Sequence, residues 1–174
     1  MRAPKRVVKP AGSNYLKSMK GAAGVHLVVA QLSLGGYVAM PTTRNLKSID
    51  VVAFNEKLSR FAFIQVKSTD NPRQGWVVRS IQEEDGWERA ARRAISPGPH
   101  VFYVFVSLPN RAQPDPAYYI VPAADVARSI ISGMKRFFSK KRGHRAPCAW
   151  GYGGLTQKVA EKYGGKWDML KLGA

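Results

Sequence analysis

An unbroken apolar run near the middle of the chain, residues 100–108, most constrains what this sequence can fold into. It is the strongest strand signal in the sequence. Since no polar residue alternates with the apolar ones between Val101 and Val106, such a strand has to be covered on both faces, as in the sheets of α/β proteins. The run therefore predicts a central strand with further layers on either side of the sheet.

Other patterned segments place a helix and further strands around this central strand. Apolar positions at residues 14–34 have helical spacing, and Gly35-Gly36 ends that helix. Strands are expected at residues 37–40, 48–54, 60–67 and 117–121, with 76–79 as a further candidate. A polar turn is expected at residues 55–59, a solvated helix or long connector at 83–95, a helix from Pro122 through Met134, and a bend at 151–154. This order predicts an α/β domain at residues 14–174, with a mixed central sheet flanked by helices, behind a flexible basic arm at residues 1–13.

The charge balance points to a polyanionic partner. The 174 residues include 28 lysines and arginines against 11 aspartates and glutamates, which gives a net charge of +17 and favours nucleic acid as the partner. There is no stretch of about 20 apolar residues that could span a membrane, and no apolar segment typical of a signal peptide follows the basic N-terminus. The single cysteine, Cys148, excludes an internal disulfide and a cysteine-rich zinc site. A cytoplasmic protein without a membrane partner is expected.

Three polar residues on two successive strands form a candidate site. Asp50 lies in the predicted strand at residues 48–54, and Gln65 and Lys67 lie two positions apart in the next strand. Side chains two apart on a strand share a face, and a hairpin could bring Asp50 beside them. Oxygen ligands for a hard divalent cation, together with an ammonium group near the phosphate, are suited to metal-assisted cleavage of a phosphodiester.

The segment from Gly21 to Lys67 resembles the core of the PD-(D/E)xK nuclease-like superfamily, which includes many restriction enzymes, Holliday-junction resolvases and some homing endonucleases. Residues 21–24, the tripeptide at 36–38 and Gln65-Val66-Lys67 are similar to a bacterial branch with a Gln-Val-Lys motif, as are residues 118–122 and 166–170. The resemblance implies a restriction-endonuclease-like core with the element order αβββαβ. It also implies that the protein forms a homodimer or a higher homo-oligomer.

The resemblance further assigns roles to the candidate site. It implies that Asp50 and Gln65 hold Mg²⁺ or Mn²⁺ together with the backbone carbonyl of Val66, and that Lys67 is the catalytic lysine. One position departs from the pattern, because Val25 stands where this branch often has a glutamate in the first helix. No acidic residue precedes Asp50 in the sequence, so the helix supplies no second carboxylate. Since Mg²⁺ usually relies on one or two carboxylates plus substrate phosphates, the metal should bind weakly without DNA.

Several nearby polar residues have more ordinary interpretations. His26, next to Val25, is expected to pack or hydrogen-bond within the helix, with an auxiliary catalytic role as the alternative. Glu56 and Asp70 flank the site in sequence and are interpreted as loop surface, with an auxiliary metal role as the alternative.

A second basic feature lies near the end of the predicted helix that begins at Pro122. Six cations occur within eleven residues there, and we expect them to contact phosphates: Lys135, Arg136, Lys140, Lys141, Arg142 and Arg145. The alternative is a helix end that is only solvated. Contacts of this kind position a duplex without reading its sequence.

Together these features predict a metal-dependent DNA endonuclease or a nuclease-like DNA-processing protein. A first alternative is a catalytically impaired module that keeps the nuclease fold and binds nucleic acid without cleaving it. A second is an interaction protein whose charge serves RNA or a ribonucleoprotein.

Overall fold

A five-stranded mixed sheet forms the centre of the fold in the computed structural model of the chain, which describes residues 13–43, 49–82, 98–138 and 150–173. Its strands lie side by side in the order β1 (Val38–Pro41), β2 (Val51–Phe54), β3 (Phe61–Thr69), β5 (Val101–Ser107) and β6 (Ala117–Pro122). A separate two-stranded sheet pairs β4 (Trp76–Gln82) with β7 (Trp150–Leu155). The helices are α1 (Ser13–Leu34), α2 (Ala123–Phe138) and the short α3 (Gln157–Ala160), with 3-10 turns at Pro72–Gln74, Glu161–Tyr163 and Trp167–Leu170.

The strand directions make the central sheet mixed. β1, β2 and β3 follow one another antiparallel, β3 runs parallel to β5, and β6 returns antiparallel to β5. The parallel pair requires a crossover between β3 and β5, and β4 lies in that connection. The prediction of an α/β fold with a mixed central sheet flanked by helices is confirmed, and it agrees with the restriction-endonuclease-like core that the resemblance implies.

β5 is buried on both faces, as its unbroken apolar sequence predicts. Phe102, Val104 and Val106 pack in one hydrophobic cluster with α1 and the strands β2 and β3. Tyr103 and Phe105 pack in a second cluster with α2, β4 and β7. The two long helices therefore cover opposite faces of the sheet.

One side chain closes the turn between β2 and β3. Asn55 Oδ1 accepts the backbone N–H groups of Ser59 at 2.9 Å and Arg60 at 3.0 Å, and Asn55 Nδ2 donates to Ser59 Oγ at 3.0 Å. Asparagine suits such a turn because its short side chain reaches backbone groups a few residues on. The turn supports a hairpin register in which Val51 pairs with Ile64.

Helix α1 lies close against β3 at Gly24. A Cβ added there would lie 2.7 Å from both Cβ and Oγ of Ser68 and 3.4 Å from Val66 Cγ1. Ser68 Oγ donates to the carbonyl of Lys20 at 2.8 Å. Gly24 thus allows the close contact that sets the helix against the strand carrying Lys67.

One local expectation is confirmed and one is wrong. Residues 76–79 form a strand, β4, which continues to Gln82 and pairs with β7 outside the central sheet. Residues 151–154 lie within β7 and do not form a bend. Glycine is required there, because a Cβ at Gly154 would lie 1.9 Å from the carbonyl oxygen of Trp76. The indole Nε1 of Trp76 donates to the carbonyl of Val106 at 3.0 Å and so ties the two-stranded sheet to β5.

Some sequence predictions concern residues that the structure does not describe. Residues 1–12 of the predicted basic arm and the predicted connector at residues 83–95 lie outside the described residues, and Ser13 begins α1. Within the described ranges, none of the helices combines the length and apolar character needed to cross a membrane.

Gly24→Ala should lower the free energy of unfolding by about 1–3 kcal/mol, because the new methyl group overpacks against Ser68. Gly21→Ala, three positions earlier on the same helix, is the matched control. Its Cβ would meet nothing within 4 Å, so the better helix propensity of alanine should raise stability by up to about 1 kcal/mol. Urea unfolding followed by circular dichroism measures both changes. A shift of the two variants in the same direction would contradict the close approach at Gly24.

Candidate active site

Asp50 precedes β2 and joins it to its neighbours through three hydrogen bonds. Its N–H donates to the carbonyl of Ile64 at 2.8 Å, and its own carbonyl accepts from the N–H of Thr42 at 2.9 Å. Its carboxylate Oδ2 accepts the N–H of Val66 at 2.7 Å. An ionised carboxylate has about four acceptor positions, so this contact leaves others for a cation. Asp50 is half-buried, which keeps the carboxylate within reach of ligands.

Asp50 contacts β3 on either side of Gln65. The strand pairing begins at Val51, opposite Ile64. Asp50 donates its N–H to the carbonyl of that same Ile64, and its carboxylate accepts the N–H of Val66. Val66 and Ser68 contact α1, so the alternation of β3 directs Gln65 and Lys67 together to its other face. Both side chains are half-buried.

Asp50 and Lys67 border the same cleft, a space of about 680 Å³ between α1 and the adjacent ends of β1, β2 and β3. Val66 also lines this cleft, whereas Gln65 is not among its lining residues. Asp50, Val66 and Lys67 therefore border one cleft, and Gln65 does not. Their chemical roles stay predictions.

Helix α1 forms the other wall of the cleft, and both Val25 and His26 lie in it. The valine thus borders the cleft at the position where the resemblance leads one to expect an acid. Among the described residues that line the cleft, Asp50 alone carries a carboxylate. Nowhere in the described ranges do three or more histidine, cysteine, aspartate or glutamate side chains form a group that could hold a metal ion.

The donor set fits a divalent cation that shares its ligands with a substrate. One carboxylate and neutral oxygen donors match the preference of Mg²⁺ and Mn²⁺ for oxygen. The hydroxyl-bearing residues Thr42 and Thr43, which also line the cleft, add neutral polar groups. With one protein carboxylate, the remaining charge around such an ion would have to come from other ligands.

Sequence reasoning missed the contacts that hold this cleft in shape. Thr42 follows β1, and its Oγ1 donates to the carbonyl of Ile49 beside Asp50. Asp70 lies just after β3 and accepts from Lys20 Nζ of α1 at 2.6 Å. The pKa of the Asp70 carboxyl lies below its ordinary value, chiefly because of this hydrogen bond. Since both side chains are nearly half exposed, the pair contributes at most about 1 kcal/mol.

The remaining predicted residues lie away from the cleft or outside the described ranges. Glu56 is exposed in the turn at the opposite end of the β2–β3 hairpin, and neither it nor Asp70 lines the cleft. Lys135 and Arg136 are exposed in the last turn of α2. Lys140, Lys141, Arg142 and Arg145 lie outside the described residues.

Comparisons with known proteins give little further guidance. No protein-family model matches the chain, and no curated protein matches it. Among solved structures, it is similar to the Holliday junction resolvase of the archaeal hyperthermophile Archaeoglobus fulgidus. The TM-score is 0.38 and the identity 13%, covering 82% of this chain and 93% of that one. A similarity of this size carries no functional conclusion, so the function proposed below depends on the site and on the charge.

Asp50→Ala should destabilise the protein by about 1–2 kcal/mol more than Asp50→Asn, because asparagine keeps an oxygen that can accept the N–H of Val66. Thermal and urea unfolding of both variants measure the difference. Glu56→Ala, which removes an exposed carboxylate from the turn, is the control and should change stability little. Equal stability of the two Asp50 variants would mean that the contact with Val66 does not hold β2 to β3.

Proposed function

We propose that the chain is a metal-dependent DNA endonuclease that hydrolyses phosphodiester bonds in the cleft between α1 and β3. The observation that carries the proposal is that Asp50 and Lys67 border one cleft, with Gln65 in β3 between Ile64 and Val66, the two residues to which Asp50 is hydrogen-bonded. Asp50 offers an acceptor for a cation, and Lys67 lies at the border of the same cleft, on a protein of charge +17. We further propose a single nuclease-like domain that begins with α1 at Ser13, with the residues before it as a basic arm, and self-association as a homodimer or higher oligomer.

Each of the site residues would have a separate role in hydrolysis. A divalent cation held by Asp50, the Val66 carbonyl and the Gln65 side-chain oxygen would supply positive charge to stabilise the charge that develops on the phosphate. Lys67 would donate hydrogen bonds to a phosphate oxygen or to the attacking water and so orient it. The water oxygen forms a bond to phosphorus, one P–O ester bond breaks, and the leaving oxygen ends with a proton.

A second candidate function is binding of nucleic acid without cleavage. The observation that favours it is Val25, an apolar residue on the wall of the cleft where the resemblance implies an acid. With Asp50 as its single carboxylate, the site offers a cation one formal negative charge. Loss of the helix acid could therefore have removed turnover while the basic surface kept its affinity for phosphates.

Lys67→Gln and Asp50→Asn should each reduce cleavage of DNA by about 100-fold or more, as is typical when a group acting on the reacting atoms is removed. The assay incubates supercoiled, linear and branched DNA with Mg²⁺ or Mn²⁺ and counts the products on gels. Lys57→Gln is the matched control, because Lys57 lies in the β2–β3 turn, and it should keep wild-type activity. Unchanged cleavage in both site variants would remove this mechanism.

Val25→Glu should decide between the two candidate functions, because it places a second carboxylate on the wall of the cleft. It should tighten the binding of Mn²⁺ to the free protein, measured by calorimetry or electron paramagnetic resonance, and raise Mg²⁺-dependent cleavage. Val25→Gln has nearly the same shape without the charge and should do neither. Tighter Mn²⁺ binding with no cleavage by any form of the protein would favour the non-cleaving module.

A further inference from the structure

A second cavity lies on the opposite side of the sheet from the cleft. It occupies about 520 Å³ between the C-terminal half of α2 and the two-stranded sheet of β4 and β7. Its walls include Ser129 and Arg136 from α2 and Thr156 and Lys158 from the segment after β7. We call this cavity the α2–β7 groove.

Glycines give the α2–β7 groove its shape. A Cβ at Gly153 would lie 2.6 Å from Ile130 Cγ2, so β7 packs against α2 with no space for a side chain. Gly133, on the exposed surface of α2, is different, because an added Cβ would meet nothing within 4 Å. Because Gly133 has no side chain, α2 leaves open space in this wall of the groove, between buried Ile130 and exposed Arg136.

The charged residues described in the lining of the groove are both cationic. Arg136 and Lys158 are both exposed, and no aspartate or glutamate is among the described residues that line the groove. Thr156 adds an exposed hydroxyl-bearing side chain, while Ser129 Oγ lies 3.3 Å from the carbonyl oxygen of Gly154 and donates to it. Two cations and a hydroxyl around an open groove suit an anion with several oxygens, such as a phosphodiester.

The groove and the cleft lie toward the same end of the central sheet. Trp76, which lines the groove, donates its indole N–H to the carbonyl of Val106. Val106 pairs with Ser68, the residue after Lys67. Neighbouring strands are about 4.8 Å apart, so the strands β3 and β5 connect the two sites directly, one on each face.

We propose that the α2–β7 groove binds phosphate groups of the DNA, with Arg136 and Lys158 as the contacting cations. The groove would then hold the nucleic acid at a point separate from the cleft where we propose cleavage. This inference depends on DNA binding, one part of the proposed function, and does not depend on cleavage.

The test measures binding in EDTA, so that cleavage cannot contribute. A fluorescent DNA duplex is titrated with each variant at several salt concentrations, and anisotropy gives the affinity and its salt dependence. Lys158→Gln should lower the slope of log affinity against log salt by about 0.9, which corresponds to roughly eightfold weaker binding at about 0.1 M salt. Arg136→Gln should have a similar effect.

A pair of variants at Gly133 tests the groove itself by adding a charge to its wall. Gly133→Glu should weaken binding clearly more than Gly133→Gln, since both fit the open surface of α2 and differ only in charge. Lys57→Gln, in the distant β2–β3 turn, controls for the loss of any one positive charge. Circular dichroism and thermal unfolding confirm that every variant is folded.

The outcomes separate the groove from the proposed cleavage. Weaker binding and a reduced salt slope for Lys158→Gln and Gly133→Glu, but not for Lys57→Gln and Gly133→Gln, would support the groove even if the protein never cleaves DNA. Affinities and slopes that do not differ between groove variants and controls would overturn it, even if cleavage depends on Asp50 and Lys67. An absence of DNA binding by the unaltered protein would overturn it as well.

Discussion

The parallel pairing of β3 with β5 is the constraint on which the rest of the described structure depends. β5 is buried on both faces, so it needs a layer on each side, and α1 and α2 with the two-stranded sheet provide them. The same pairing positions Lys67 beside Phe105 and Ser68 beside Val106, which brings the end of β3 into the middle of the sheet. Asp50 then meets β3 through its hydrogen bond to the N–H of Val66. Without a buried central strand, the helices that border the cleft and the α2–β7 groove would lack the sheet against which they pack.

The sequence predicts well the features that depend on local patterns. The apolar run of β5, the helical spacing that ends at Gly35-Gly36 and the polar turn at Asn55 were readable because each is encoded within a few neighbouring residues. The partner of β4 was not readable, because β7 lies more than sixty residues further along the chain and contains Gly151, Gly153 and Gly154. Glycines weaken a strand pattern, yet here the close approach of Trp76 to Gly154 requires one. Pairing between distant strands depends on tertiary packing, and the residue pattern within a single strand does not reveal that packing.

For the candidate site too, the local pattern was predictable from the sequence and the contacts between distant elements were not. Spacing alone indicated that Gln65 and Lys67 share a face of one strand, and the alternating burial along β3 agrees. The contribution of α1 was harder to see, because it depends on the close contact at Gly24 and on the hydrogen bond from Ser68 to Lys20. The sequence shows that no acid precedes Asp50, and in the structure Val25 of α1 borders the cleft. Asp50 would therefore have two tasks, holding β2 to β3 and offering charge to a cation.

These two tasks, combined with the net charge, would set an order of binding in the proposed enzyme. A protein of charge +17 repels a divalent cation over distances comparable with the Debye length, about 8–10 Å at physiological salt, and one carboxylate at the cleft offsets little of this. DNA bound to the basic surface reverses the local potential and brings phosphate oxygens that can share the ligation of the ion. Coupling of this kind is reciprocal, because a DNA site that strengthens metal binding is strengthened by the metal to the same degree. The scarcity of acids around Asp50 would thus make the proposed site depend on its substrate for the cation, and the groove on the other face would hold that substrate in place before the ion arrives.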